Sequence, residues 1–325
     1  MARWHTAPAS RLLLHDASTA LPPLQVHRRL AAFNRKRLLP TFEEPCWPEA
    51  LNEEIELRSL EARFVHAERT AIAPRLSDLP TDAPGFMDWF HALKDNGPGQ
   101  GDALFAWLAT DATIDQMRWF LRQEAAGEAG FDDLVALTQV RFPSRPKLEM
   151  ANNYWDEMGR GRESGMHGPM LERTTQALDL RPSVETTAWE SLALANLMVA
   201  LAANRHLAYQ SVGALGAIEM TAPGRVSKVN EGMRRLGLPA EVRRYFQLHA
   251  GLDVRHSLAW NREVIEPLVA ADPNAARPIA EGALLRLAAG ARCFERYRRD
   301  LKLTTSTATA VPHDEMDCDT RRVAA

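Results

Sequence analysis

The stretch Phe246–Trp260, FQLHAGLDVRHSLAW, places His249, Asp253 and His256 inside a run that otherwise reads as buried helix. Offsets of four and seven residues return to one side of an α-helix, whose period is 3.6 residues. Two imidazoles and a carboxylate on one stripe suit iron, manganese or zinc; magnesium and calcium prefer all-oxygen shells. The reading therefore depends on whether the surrounding chain is helical as well.

It is helical almost throughout. Between about residue 20 and residue 300 no Val/Ile/Thr-rich alternating run is bounded by hairpin turns, and apolar residues recur at helical spacing. Ile114, Met117 and Leu121 open one helix, Leu194, Leu197 and Leu201 run along a long one, and Leu284, Leu287 and Phe294 mark another. The fold class is all-α. Breakers divide the chain at Leu21-Pro22-Pro23, at Pro45 and Pro48, at Asn96-Gly97-Pro98-Gly99, at Phe142-Pro143 through Pro146, from Gly159 to Gly168, at Pro223-Gly224, at Gly237-Leu238-Pro239 and at Asp272-Pro273-Asn274. Residues 1–45 read as an N-terminal extension with one helix over Val26–Leu38, residues 46–302 as a single helical domain, and residues 303–325 as a disordered tail in which His313 and Asp314 are solvated.

Composition agrees with a soluble globular chain. The 325 residues carry 39 Lys+Arg against 42 Asp+Glu, a net charge of -3, with 46% hydrophobic positions and a pI near 6.4. That balance lacks the basic footprint of nucleic-acid binding. No apolar run approaches a membrane span, and a cytoplasmic location is expected. Cys46, Cys293 and Cys318 are odd in number and widely spaced, which indicates neither disulfides nor a thiolate zinc site. Gly-rich phosphate loops, G-x-S-x-G elbows and solenoid repeats are absent from the sequence.

Further acids fall in helix-like surroundings: Glu124 behind Trp119-Phe120-Leu121, Glu157 behind Tyr154-Trp155-Asp156, and Glu219 at the end of a stretch rich in Leu, Ala, Val and Gly. A carboxylate buried without a partner costs several kcal/mol, and metal ligation is one way to supply the partner. The ferritin-like di-iron bundle uses Glu-x-x-His pairs, and none occurs here.

The ordered set Glu124, Glu157, His167, Glu219, His249, Asp253 and His256, with NYWDEMGRGRESGMHG over residues 153–168, resembles the ligand series of the haem-oxygenase-like di-iron oxidases and oxygenases, the iron-containing redox enzymes. The resemblance covers roughly residues 50 to 300 and implies a haem-oxygenase-like bundle of about seven core helices. It assigns one iron to Glu124, His167 and His256 and the other to Glu157, His249 and Asp253, with Glu219 bridging or serving the second; Glu128 lies one turn beyond Glu124 and can take its place. Four carboxylates would balance two Fe(II) ions. By the same resemblance the activity is O2-dependent oxidation of an amino-acid-like or other carboxylate-bearing small molecule, by N-oxygenation, desaturation or carbon-carbon cleavage, in natural-product biosynthesis. An external electron donor would be needed, and dimers are usual among such proteins. Two other readings stand beside this one: a metal-free thiaminase-like or quinone-cofactor-synthase-like enzyme of the same fold, and a non-catalytic helical interaction protein.

Ten residues on a straight helix rotate about 1000°, so Glu157 and His167 cannot share a face. The helix must break between them, where Gly159, Gly161 and Gly165 make a break inexpensive, and the segment is expected to act as a mobile gate. Trp155, Arg160 and Arg162 are candidates for binding substrate, a guanidinium being suited to a carboxylate. Tyr154, Phe246 and Met220 are candidate pocket walls, and Arg255 a candidate partner for a ligand carboxylate. His27, His66, His91 and His206 match no ligand pattern.

Overall fold

The computed structural model describes residues 21–42 and 46–303. The all-α expectation holds: among these residues there is no strand, only one isolated antiparallel bridge between Met158 and Met166. The helices are α1 Pro23–Leu38, α2 Trp47–Ile72, α3 Ala83–Asn96, α4 Ala103–Thr110 and α5 Ile114–Gly127. They continue as α6 Phe131–Thr138, α7 Ser144–Glu157, α8 His167–Ala177 and α9 Trp189–Ala203. The last four are α10 Ala208–Arg235, α11 Ala240–Trp260, α12 Glu266–Ala271 and α13 Ala276–Asp300, with a π-helical turn, Asn261–Ile265, joining α11 to α12. Local chemistry starts several of them. Asp82 and Asp102 accept from the backbone N–H of Gly85 and Leu104, and Thr113 forms a capping box with Gln116 at the head of α5.

The interior is organised by α9 and α10. Almost every face of α9 is buried, as a helix apolar all round requires. α10 packs on α11, α13 and α4, and it meets α13 backbone to backbone: a Cβ at Gly213 would overlap the Ile279 carbonyl, and one at Gly282 would overlap that of Gln210. Two apolar clusters result. Phe86, Phe90, Leu197, Val212, Trp260, Ile279 and Leu284 lie in one, and Leu104, Leu108, Met117, Phe120, Met233, Phe294 and Tyr297 in the other. α1 packs on α9, where Asn34 Nδ2 donates to Asn196 Oδ1 (2.8 Å), Asn196 Nδ2 donates to the His27 carbonyl (2.9 Å), and the His27 ring stacks on Trp189. Burial of that ring, with Arg292 nearby, lowers the His27 pKa to about 4.

One predicted break is corrected. Pro223-Gly224 does not end a helix, because α10 runs through both. Proline inside a helix costs on the order of 3 kcal/mol, and the burial of Ala217, Met220, Thr221, Val229 and Met233 on either side offsets it. Pro223 also withholds the N–H that would have bonded the carbonyl four residues earlier, at Glu219. The first helix begins at Pro23 rather than Val26. The expected tail, Leu303 excepted, falls outside the described residues together with His313, Asp314 and Cys318. None of the helices described is long and apolar enough to cross a membrane.

Candidate metal centre

Two buried triads lie side by side on α11. The first joins Glu157, the last residue of α7, His167, the first of α8, and His249 on α11. The second joins Glu219 of α10 with Asp253 and His256, further along α11. Within each triad one ligand atom from every residue lies within 4.8 Å of the others. The three α11 residues do share a face, but they span about 10 Å of axis at 1.5 Å per residue, so the stripe serves two sites in succession.

The connection between Glu157 and His167 breaks as their angular offset requires. Two short 3-10 turns, Gly159–Gly161 and Glu163–Gly165, are closed by the Met158–Met166 bridge. Gly159 has φ 60°, and a Cβ there would overlap the backbone of Gly165, so the turn that carries both ligands depends on glycine. His167 Nδ1 lies 2.6 Å from Glu157 Oε2, off the line a hydrogen bond needs, and has no hydrogen-bond partner. The His167 and His249 rings meet edge to face at 4.6 Å.

Supporting groups fix the rings. His249 Nδ1 is 2.7 Å from the Tyr245 carbonyl one turn back, so Nδ1–H donates there and Nε2 is left as a metal donor. His256 Nε2 bonds Asp156 Oδ2 at 3.1 Å, which leaves Nδ1 facing Glu219 Oε1 at 3.6 Å, buried and again without a hydrogen-bond partner. Asn153 Nδ2 donates to Glu219 Oε1 at 2.7 Å. Arg160, exposed, holds Asp156 from outside at 2.6 Å. Against the desolvation of burial, Arg160 and His256 keep the Asp156 carboxyl below its usual range.

Carboxylates crowd this end. Burial, then the charges of Glu219 and Glu157, push Asp253 up to about 9. Against desolvation, Glu219 and Asp156 raise His256 to about 9. Burial and the neighbouring His167 lower His249 to about 3. The donors fit divalent iron: mixed imidazole and carboxylate oxygen, with two imidazole nitrogens that no protein hydrogen bond uses. Such nitrogens cost stability unless something binds them.

Of the seven residues singled out from the sequence, six enter the triads and Glu124 does not. The grouping also differs from the expected one: His167 sits with Glu157 and His249, His256 with Asp253 and Glu219, and Glu219 belongs to one triad. Glu124 lies instead beside Tyr297, Arg225 and Arg286, and burial raises its pKa. Glu128 accepts from the backbone N–H of Gly130 and Phe131 at the head of α6, though close enough to Glu157 to feel its charge. Trp155 is 52% exposed and covers Gly161; it and the exposed Arg160 and Arg162 do not line the cavity at the triads. Arg255 is exposed, with no carboxylate in ion-pair reach among the described residues. Tyr154 and Met220 pack in the core, and Phe246 lines the cavity. The residues missed were Asn153 and Asp156, whose only sequence signal is proximity to Glu157, and Arg225 and Arg286, which read as ordinary helix arginines.

A cavity of about 180 Å³ opens beside Glu157, Glu219, His249 and Asp253, at the seam between the two apolar clusters. Apolar side chains of α4, α5, α9, α10, α11 and α13 form most of its wall. No curated protein matches the chain significantly. The sequence profile of the iron-containing redox enzymes does match, over residues 118–291, which include Glu124, both triads and Arg286. A match across more than half of the sequence, on an all-α fold with two buried metal-donor triads, makes this chain a member of the iron-containing redox enzyme family.

Proposed function

We propose that the protein is a non-haem di-iron oxidase or oxygenase that uses O2 and an external electron donor to oxidise a small carboxylate-bearing molecule, amino-acid-like or otherwise. The observation that carries this reading is the pair of buried imidazole nitrogens, His167 Nδ1 and His256 Nδ1, that face carboxylates without a hydrogen-bond partner. Glu157, His167 and His249 would hold one iron, and Glu219, Asp253 and His256 the other. Iron, when bound, supplies the redox chemistry and the open coordination positions at which O2 is activated.

The chain's own part is positioning. Tyr245 and Asp156 lock the tautomers of His249 and His256 through their second nitrogens, and Asn153 orients Glu219. The apolar wall excludes water from the substrate and strengthens every charge interaction inside it. N-oxygenation, desaturation and carbon-carbon cleavage are the outcomes we propose for such a centre, with a role in natural-product biosynthesis. The loop Met158–Met166 carries a ligand at each end, so its opening would gate the site.

Metal analysis after anaerobic reconstitution with Fe(II), followed by stopped-flow spectra on mixing with O2, tests this reading. The expected result is close to two irons per chain and a transient visible absorption that His256→Ala abolishes. Iron at background level in the wild type would overturn the proposal and favour a metal-free enzyme of the same fold.

A further inference from the structure

The far end of the cavity holds charge of the opposite sign. Arg225 on α10 and Arg286 on α13 both line it, enclosed by apolar side chains, with Glu124 as the nearby carboxylate. Neither guanidinium forms an ion pair within 4 Å of any carboxylate among the described residues. Arg225 Nη2 donates to Thr221 Oγ1 (2.9 Å), and its guanidinium lies over the rings of Phe294 and Phe105 at 5.4 and 5.9 Å. Arg286 Nε is buried with no hydrogen-bond partner. Glu124 is met by the Tyr297 hydroxyl, itself 2.8 Å from Ser191 Oγ.

The helix geometry places this charge in register with the triads. Ile218, Glu219, Ala222, Arg225, Val226 and Val229 follow one another at helical spacing along the cavity wall. Arg225 is six residues beyond Glu219, roughly 9 Å along the axis. At this end of the cavity two half-buried guanidiniums and one carboxylate leave one positive charge against a mostly apolar wall. Burial and the neighbouring Arg286 lower the Arg225 pKa to about 9, the direction expected of a cation lacking its partner.

We infer that Arg225 and Arg286 form an anion subsite for the substrate: they seat a single anionic head group, without an adjoining ammonium, and the apolar body of the ligand reaches from there toward Glu219 and the triads. This rests on the reading of the cavity as the substrate site. It narrows the substrate class, because a monoanion neutralises the arginine end, whereas a zwitterionic amino acid leaves its charge unchanged. Guanidinium forks suit carboxylate and phosphate alike.

Calorimetric titration of the full-length chain, as purified and after chelator treatment, provides the test, with octanoate, octyl phosphate, 2-aminooctanoate and octylamine as probes of one apolar body and differing charge. Octanoate should bind in both preparations, and Arg225→Met and Arg286→Met should each weaken it by about tenfold or more. Arg286→Lys should retain part of the affinity. Octylamine and 2-aminooctanoate should bind at least about tenfold more weakly than octanoate. Octyl phosphate binding tighter than octanoate, with the same dependence on both arginines, would support the subsite and identify phosphate as its head group. Octanoate affinity unchanged in both methionine variants, or equal affinity for 2-aminooctanoate, would overturn the inference. Glu124→Gln keeps both arginines and removes the competing anion, so octanoate should bind more tightly; weaker binding would also overturn it. Two irons per chain after reconstitution without octanoate binding would defeat the subsite alone, and octanoate binding by a chain that takes up no iron on anaerobic reconstitution would defeat the di-iron reading alone.

Discussion

The two ends of the cavity bury charge in opposite ways. At the α7–α8–α11 end, Glu157, Glu219 and Asp253 crowd together, and burial, reinforced by the charge of neighbouring carboxylates, displaces the Glu157 and Asp253 carboxyls upward. At the α13 end, Arg225 and Arg286 outnumber Glu124. Tyr245 lies between them, close enough to feel Glu124 as well as Glu157 and Asp253. The surpluses do not neutralise each other, since each set is fixed on its own helices. An imbalance that packing alone would remove marks a place completed by something outside the chain: cations at one end, an anion at the other.

Reciprocal substitution gives the largest effect and is the surest way to break this comparison. His249→Ala should lower iron content to about half of wild type and leave octanoate affinity of the metal-free protein unchanged; Arg286→Met should do the reverse. Parallel losses in both measurements would show a single site rather than two.

The triads themselves should differ with pH. Asp253 and His256 stand near 9, so at neutral pH both hold protons that a metal must displace. Affinity at the Glu219 triad should therefore rise as pH increases from 6 toward 9, by up to about tenfold per unit for each proton released, and flatten above that. The Glu157 triad, whose His249 is already neutral with a pKa near 3, should depend less on pH. Co(II) titrations monitored optically at several pH values would separate the two phases.

His27 sharpens the contrast, because its burial is accommodated by neutrality instead of a counter-ion. Its pKa is about 4 in the fold against about 6.5 in an unfolded chain, so the unfolded state takes up the proton first as pH falls. Stability should decline between pH 6.5 and 4 by roughly 2–3 kcal/mol and gain nothing from His27 protonation above 7. Urea midpoints of wild type and His27→Gln across that range should diverge only on the acid side.

The smallest effect is on thermal stability. Arg225→Met replaces a half-buried charge that has no ion pair among the described residues with an apolar side chain of similar length, and the metal-free variant should melt about 2 °C higher, equivalent to about 1 kcal/mol. A lower melting temperature would mean that Arg225 is already balanced within the fold.

Much of the architecture could be read from residue pattern alone. The 3.6-residue spacing of apolar side chains predicted an all-α chain, and the angular offset between Glu157 and His167 predicted a break that the structure places at residues 158–166. Pro223 misled, because propensity is local whereas the burial that keeps α10 intact comes from α13, α11 and α4. Glu124 was only partly legible. Its position behind Trp119-Phe120-Leu121 marks an acid in apolar surroundings, but not which helices it faces; in the fold it lies beside Arg286 and Tyr297 of α13 and Arg225 of α10, outside both triads.

What the sequence by itself determined is the identity of the donors and the faces they occupy, since residue type and helical period are properties of each segment alone. The grouping of those donors into Glu157–His167–His249 and Glu219–Asp253–His256, and the approach of Arg225 to Arg286, were decided only in three dimensions. Both depend on how α7, α8, α10, α11 and α13 lie against one another. Contacts such as those of Gly213 and Gly282 set that arrangement, joining residues about seventy positions apart that no local period relates.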